Sequence, residues 1–266
     1  MLFNRFYIVS ILFYLLNMYE VSSEDGLVDH HLDCGSWADL GECDLNHVYM
    51  TDHCADSCYH QHLIRAAILT GKPINVYCDS TVGSFTIELH PTWAPWAVER
   101  FLKLVGDSWF DHSPFFRAIP NYLVQFGVSL NPEVLRRWED RPAIPDDKQE
   151  FKPIPGFRRG MISFAGNGEH SRTDQVFIAL SDNEEIGTEI WEMPFGIINQ
   201  SDMRHVIDKM EMYGDFPEFG GNGPDPYRLK EPDAKQYLES HFRDMDYINY
   251  CHAELPVDMH GQEIEL

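Results

Sequence analysis

The sequence predicts a mainly β protein: a closed barrel of short strands with helices over its ends, preceded by a small disulfide-stapled module. Three observations carry this expectation. From Ile74 onward, short apolar-alternating runs recur between turn signals. Only two stretches of that region show strong helical spacing, and strands and helices do not follow each other as repeated βαβ units. Four of the six cysteines crowd into a segment too short to fold on apolar contacts alone.

The first element is a targeting segment. Met1 to Arg5 carries one positive charge, Phe6 to Leu16 is apolar except for Ser10, and Asn17 to Ser23 turns polar. Val21 and Ser23 are small enough to flank a cleavage point before Glu24. The apolar run falls short of the roughly 20 residues that span a bilayer, so residues 1–23 read as a signal peptide, with an uncleaved anchor as the rival reading. After cleavage no stable membrane insertion is expected. Six cysteines behind a signal peptide favour disulfides over zinc or thiolate chemistry. The expected location is the secretory pathway, either secreted or in the lumen of the endoplasmic reticulum. The last residues, Glu263-Ile-Glu-Leu266, share only Glu-Leu with a retrieval signal. A formal net charge of −23 repels phosphate, which argues against nucleic acid as a partner and against anionic membrane surfaces.

Residues 24–61 form the small module. Cys34, Cys43, Cys54 and Cys58 punctuate it, with Trp37, Gly41, Glu42, Tyr49 and Met50 between them. Six cysteines allow about 15 pairings, so spacing must decide among them. The histidines His30, His31, His53 and His60 have irregular spacing beside cysteines expected to be oxidised, so no metal site is assigned. The run from Cys34 through Trp37-Ala38 and Gly41-Glu42-Cys43 resembles the CxxWAxxGEC signature of ShK-toxin-like domains, and Tyr49-Met50, Cys54 and Ser57-Cys58 continue it. The usual first cysteine is absent, and Gln61 stands where the last would be, so one bridge is missing as a pair. The resemblance implies Cys34–Cys54 and Cys43–Cys58. Channel-blocking relatives use a Lys-Tyr pair where this chain has Val48-Tyr49, so a binding or spacer role is expected, with a partner that the sequence does not name.

Residues 62–73 read as a connector with a short helical run, His62 to Thr70. The large domain spans 74–228. Ile74, Val76 and Cys78 alternate with other residues, as do Phe85, Ile87 and Leu89 after the turn around Val82-Gly83, which together reads as a hairpin. Ala94 to Val105 has helical spacing, with Pro95 at its start. Strands are expected near Phe115–Ile119, Leu123–Phe126, Gly160–Ala165, Val176–Leu180 and Phe195–Ile198, and a second helix from Ser201 to Met212. Residues 229–266 read as a polar tail with weak helical spacing from Ala234 to Tyr250. Cys251 has Cys78 as its evident partner; a bridge there would pin the tail to the barrel, and two free thiols are the alternative. Asn199-Gln-Ser201 fits the N-glycosylation sequon.

Phe115-Phe-Arg117-Ala-Ile119-Pro120-Asn-Tyr122-Leu123-Val-Gln125-Phe-Gly127 resembles the cyclophilin core motif FHRxIPxFMxQGG. Gly83 to Leu104 resembles that family's opening strand and first helix. Ile144-Pro145-Asp146-Asp147 resembles its IPDE turn, and Gly160 to Ala165 followed by Gln175-Val-Phe177-Ile178 resembles its GxxSMA and QFFI segments. The match covers roughly residues 76–225. It implies an eight-stranded barrel capped by two helices and peptidyl-prolyl cis-trans isomerase activity on proline-containing peptides or unfolded proteins, with no cofactor and no metal.

Rotating a prolyl bond costs about 18–20 kcal/mol because the amide is conjugated. Twisting localises a lone pair on the prolyl nitrogen, and a donor aimed there binds the twisted state better than the planar one. The resemblance gives that role to Arg117, whose guanidinium stays charged and presents donors in a rigid plane. Gln125 would hold the substrate backbone. Tyr122, Leu123 and Phe177 would surround the proline ring, and Ala165, Gly166 and Gln175 would line the adjoining groove. None of these groups titrates near neutrality, so the expected pH profile is flat from about pH 6 to 8. The chain departs from the family in several places. Tyr122-Leu123 replaces Phe-Met, Gly166 replaces an asparagine, and Glu192 stands for the usual histidine. The cyclosporin-binding tryptophan is missing: Glu184 or Ile186 holds its place, with Trp191 nearby. Ser129 to Ala143, holding Arg136, Arg137 and Trp138, replaces a Gly-rich run. The alternative reading is a catalytically weak or inactive module that only binds proline peptides.

Overall fold

A computed structural model describes residues 27–147, 156–184, 186–257 and 262. The signal-peptide and retrieval-signal expectations lie outside them. The described residues divide into two compact units, one comprising 27–70, 137–141, 255–257 and 262, the other 71–136 and 142–254.

The first unit is helical: α1 (Cys34–Asp39), α2 (Glu42–Leu45), α3 (His47–His53) and α4 (Ala55–Leu69). Its core is Cys34, Ala38, Cys43, Met50, Cys54 and Cys58, with Trp37 packed against them. Cys34 is bonded to Cys54 and Cys43 to Cys58, so four of the six buried residues of this small core are disulfide staples. Gly41 takes φ +86°, a left-handed turn that joins α1 to α2. Asp29 accepts from the Ser57 amide at 3.0 Å and from its hydroxyl, tying the entering chain to α4. Arg141 pairs with Asp39 at 2.6 Å, both side chains nearly buried, and stacks over Trp138. A side chain at position 35 would collide with that guanidinium, which accounts for Gly35. Helix α4 runs unbroken across the expected boundary between residues 61 and 62.

The second unit holds β1 (Ile74–Ser80), β2 (Phe85–Leu89), α5 (Pro95–Gly106), β3 (Arg117–Ile119), β4 (Leu123–Phe126), β5 (Met161–Phe164), β6 (Val176–Ala179), β7 (Gly196–Ile198), α7 (Gln200–His205), α8 (Ala234–His241) and β8 (Ile248–Glu254). Helix α6 (Pro132–Trp138) lies between β4 and β5. The eight strands form one antiparallel sheet in the order β3-β4-β6-β5-β7-β2-β1-β8. Its buried face gathers Phe101, Phe110, Phe115, Phe126, Phe164 and Phe195, whose rings contact one another at centroid distances of 5.1–5.6 Å.

The expected closed barrel is instead an open half-barrel. End strands β3 and β8 do not pair along their length. Among the described residues the gap is crossed by one bridge, Pro114 to Tyr247, flanked by Phe115 N–H to Asp246 O and Ile248 N–H to Ser113 O, both 2.9 Å. The tail also differs from its expectation: α8 stops at His241, and β8 pairs with β1, placing Cys251 opposite Cys78, to which it is disulfide-bonded. The second expected helix ends at His205, because Val206 leaves helical geometry at φ −121° and only a 3₁₀ turn, Ile207–Lys209, follows. The stretch in place of the Gly-rich run forms α6, with Pro132 in its first turn and Asn131 accepting from the Glu133 amide at 3.0 Å.

Asp147, from the Ile144-Pro145-Asp146-Asp147 turn, accepts the Trp96 and Ala97 amides at 2.8 and 3.3 Å and so caps α5 from 50 residues away. Burial pushes its carboxyl up, against the pull of the fully buried Arg172 at 2.9 Å.

Candidate active site

Strands β3, β4 and β6 set the site by register. Arg117 lies opposite Gln125, and Gln125 opposite Phe177; Ile119 lies opposite Leu123, and Leu123 opposite Ala179. Directly paired residues share a face, so Arg117, Gln125, Phe177 and Leu123 stand together on the side away from the phenylalanine core. Their neighbours Ala118, Val124 and Ile178 pair across the same strands and are buried on the core side. The β3–β4 turn closes through Asn121 at φ +60°, a conformation asparagine tolerates, with the Tyr122 N–H bonded to Ile119 O. Tyr122 is left at the rim, 36% exposed.

A hydrogen-bonded chain runs along this face. Asp215 accepts from Arg117 Nε at 2.7 Å and Nη2 at 3.1 Å; Arg117 Nη1 donates to Gln125 Oε1 at 3.2 Å; Gln125 Nε2 donates to Gln175 Oε1 at 2.9 Å. A guanidinium has five N–H donors. These bonds use three, leaving two on a partly exposed cation held in one plane. Partial burial works against Asp215 ionisation, yet the Arg117 hydrogen bonds, the Phe216 amide and the Arg117 charge hold its carboxyl below the usual range. The guanidinium carbon also lies 5.0 and 5.9 Å from the Phe216 and Phe219 ring centres.

The apolar part is a second cluster. Leu123 and Phe177 pack with Phe157, Met161, Ala179 and Ile186, and Ala165 packs against them. The Phe157 and Phe177 rings are 5.4 Å apart. Ala165 is fixed by its N–H to Gln175 O at 2.8 Å. A Cβ at Gly166 would lie 2.9 Å from the Trp191 indole, so Trp191 packs directly against that glycine. Glu192 turns back to accept the Gly187 N–H at 2.8 Å, which closes its own loop. Gly187 in turn sits against the Phe157 ring, where a Cβ would be 2.6 Å away.

The geometry thus brings Arg117, Gln125 and Gln175 into one network and Leu123, Phe177 and Ala165 into one apolar cluster. Tyr122 stands at the rim, Gly166 lies under Trp191, and Glu192 is committed to its loop. Asn199 is exposed and caps α7, its side chain accepting from Ser201 and Asp202 amides at 2.9 and 3.0 Å. Sequence reasoning missed Asp215 and Phe157 here, and named Ile186 only as one of two candidates for the place of the missing tryptophan. An acid beside two aromatics in the Gly-rich run Gly214 to Gly223 was the available signal for the first.

The chain matches the family model of cyclophilin type peptidyl-prolyl cis-trans isomerases over residues 74–219 and that of ShK domain-like proteins over residues 28–60. It belongs to the cyclophilin-type peptidyl-prolyl isomerase family. Among its relatives, peptidyl-prolyl cis-trans isomerase-like 3 of Neurospora crassa is 31% identical over 108 residues, and isomerase-like 1 of Gibberella zeae is 32% identical over 110. Each alignment takes in 40% of this chain and 65% of the relative, just under two thirds of its length. A Cryptosporidium parvum cyclophilin type isomerase superposes with a TM-score of 0.46 at 16% identity, covering 68% of this chain and 98% of that one.

Proposed function

We propose that this protein is a peptidyl-prolyl cis-trans isomerase acting on Xaa-Pro bonds of proteins that fold in the secretory pathway. The observation that carries the reading is the held guanidinium of Arg117, two donors uncommitted, beside Gln125 and on the same face as Leu123 and Phe177. The substrate proline rests on the apolar cluster, Gln125 and Gln175 hold the flanking backbone, and Arg117 donates to the prolyl nitrogen as the bond twists. Only the twisted state offers that nitrogen a full lone pair, so the interaction grows towards the transition state. No bond is made or broken at the protein, and no cofactor is required. Three disulfides support a secretory setting. The ShK-like unit is assigned a binding role whose partner is open.

The test is NMR exchange spectroscopy on a short Xaa-Pro peptide with the full-length protein and Arg117→Ala. Acceleration by the wild type, reduced roughly 100-fold or more in the variant, is expected. A peptide that binds without faster exchange would make the chain a proline-peptide-binding module instead.

A further inference from the structure

We propose that Asp215 is the positioning residue for Arg117, fixing the plane and direction of the guanidinium so that its remaining donors meet the prolyl nitrogen. The inference rests on the isomerase reading above and adds a residue that the core motif does not contain.

The backbone places Asp215 first. Ala118 and Gly214 form an isolated antiparallel bridge, with amide–carbonyl distances of 3.2 and 2.8 Å in the two directions. Counting outward from that pair puts Arg117 opposite Asp215. Gly214 takes φ +92°, and the following loop folds back on the Asp215 carbonyl: Gly223 N–H donates to it at 2.9 Å, and a side chain at Gly221 would overlap it. Only glycine fits that approach. The carboxylate is oriented again by the Phe216 amide, which donates to Oδ1 at 2.7 Å. Two carboxylate oxygens then meet Nε and Nη2, a two-bond fork that fixes a planar group far better than a single contact. The side chains are only 19% and 25% exposed, and Phe216 lies over the guanidinium, so water competes weakly.

The chemistry follows. A guanidinium on a flexible stem would spend most of its time out of line with the twisted bond. Clamped on one edge by Asp215 and braced by Gln125, it loses that freedom before substrate arrives. Asp215 therefore acts on the rate of the bound complex more than on peptide affinity.

Asp215→Asn is the informative change. It keeps size and one acceptor oxygen, but its amide NH₂ faces a guanidinium N–H, donor against donor, and one arm of the fork is lost. Exchange rates at saturating Xaa-Pro peptide, peptide Kd and thermal midpoint would be measured on full-length wild type, Asp215→Asn and Asp215→Glu, with the ¹⁵N signal of Arg117 Nε as a direct probe. The expected result is a loss of about 10-fold or more in the saturated rate for Asp215→Asn, with Kd within about threefold. Asp215→Glu, which restores both oxygens, recovers most of the rate, and the Nε–H exchanges faster with solvent in Asp215→Asn alone. A saturated rate within about twofold of wild type in Asp215→Asn overturns the proposal, as does an equal loss in both variants that tracks their thermal midpoints. A wild type without activity overturns the isomerase reading itself and Asp215's role with it.

Discussion

His62 is 4% exposed on α4, and burial pushes its imidazole down to about 4. Its unfolded value is near 6.5. Between those values the unfolded chain binds a proton that the folded one refuses, so stability falls as pH drops from about 6.5 to about 4 and is unaffected above that window. The slope from this group reaches about 1.4 kcal/mol per pH unit. Calorimetry of wild type and His62→Leu at pH 7, 6, 5 and 4 should show the wild type losing ground to the variant as pH falls; parallel curves would mean His62 does not titrate this way. At this scale, legibility depended on sequence locality. Arg117 and Gln125 sit eight residues apart inside one motif, so their partnership could be expected before the register Arg117–Gln125 was seen. Asp215 lies 98 residues from Arg117 and reaches it through the Ala118–Gly214 bridge, a long-range hydrogen-bonding fact with no local periodicity to announce it. Phe157 likewise joins Leu123 and Phe177 through a contact distant in sequence.

Secondary structure was legible where period and caps agreed. Helix α5 begins at Pro95 and buries Ala97, Val98, Phe101, Leu102 and Val105, the residues whose spacing marked it. Strand β8 escaped because Asn249, Tyr250 and His252 do not alternate cleanly with apolar neighbours; its identity comes from pairing with β1. Helix α6 escaped because the stretch was noted only as the replacement of a Gly-rich run, although Asn131-Pro132 is a cap followed by a helix-compatible proline. Helix α7 is only six residues long and depends on its cap. Asn199→Ala should lower stability by about 1 kcal/mol, while Asn199→Ser, another good cap, should stay within a few tenths. Urea denaturation of both checks this, and equal midpoints for the alanine and serine variants would contradict it.

In the molecule as a whole, the half-barrel leaves β8 at the sheet's edge, held by its ladder to β1 and by Cys78–Cys251. That bridge joins residues 173 apart, so it removes much freedom from the unfolded chain. Replacing both cysteines with serine should cost about 2–4 kcal/mol, read as a lower thermal midpoint of the cyclophilin-type unit, with the Arg117–Gln125 face unchanged. An unaltered midpoint would show that the ladder alone holds β8. The open edge also marks how far a resemblance carries: the strand number followed from it, while closure depended on whether Pro114 and its neighbours could extend pairing to β8, and they make a single bridge.

The central claim is that the Arg117 guanidinium, held by Asp215 and Gln125, lowers the barrier to prolyl rotation. The most direct measurement is the cis–trans exchange rate of one Xaa-Pro peptide with full-length wild type, Arg117→Ala and Arg117→Lys, at pH 6, 7 and 8. The account predicts a fast wild type with a flat pH profile, a loss of roughly 100-fold or more in Arg117→Ala, and only slight recovery in Arg117→Lys, which keeps the charge but not the fork. Full activity in Arg117→Ala, or a wild-type rate that changes severalfold across that pH range, would contradict it.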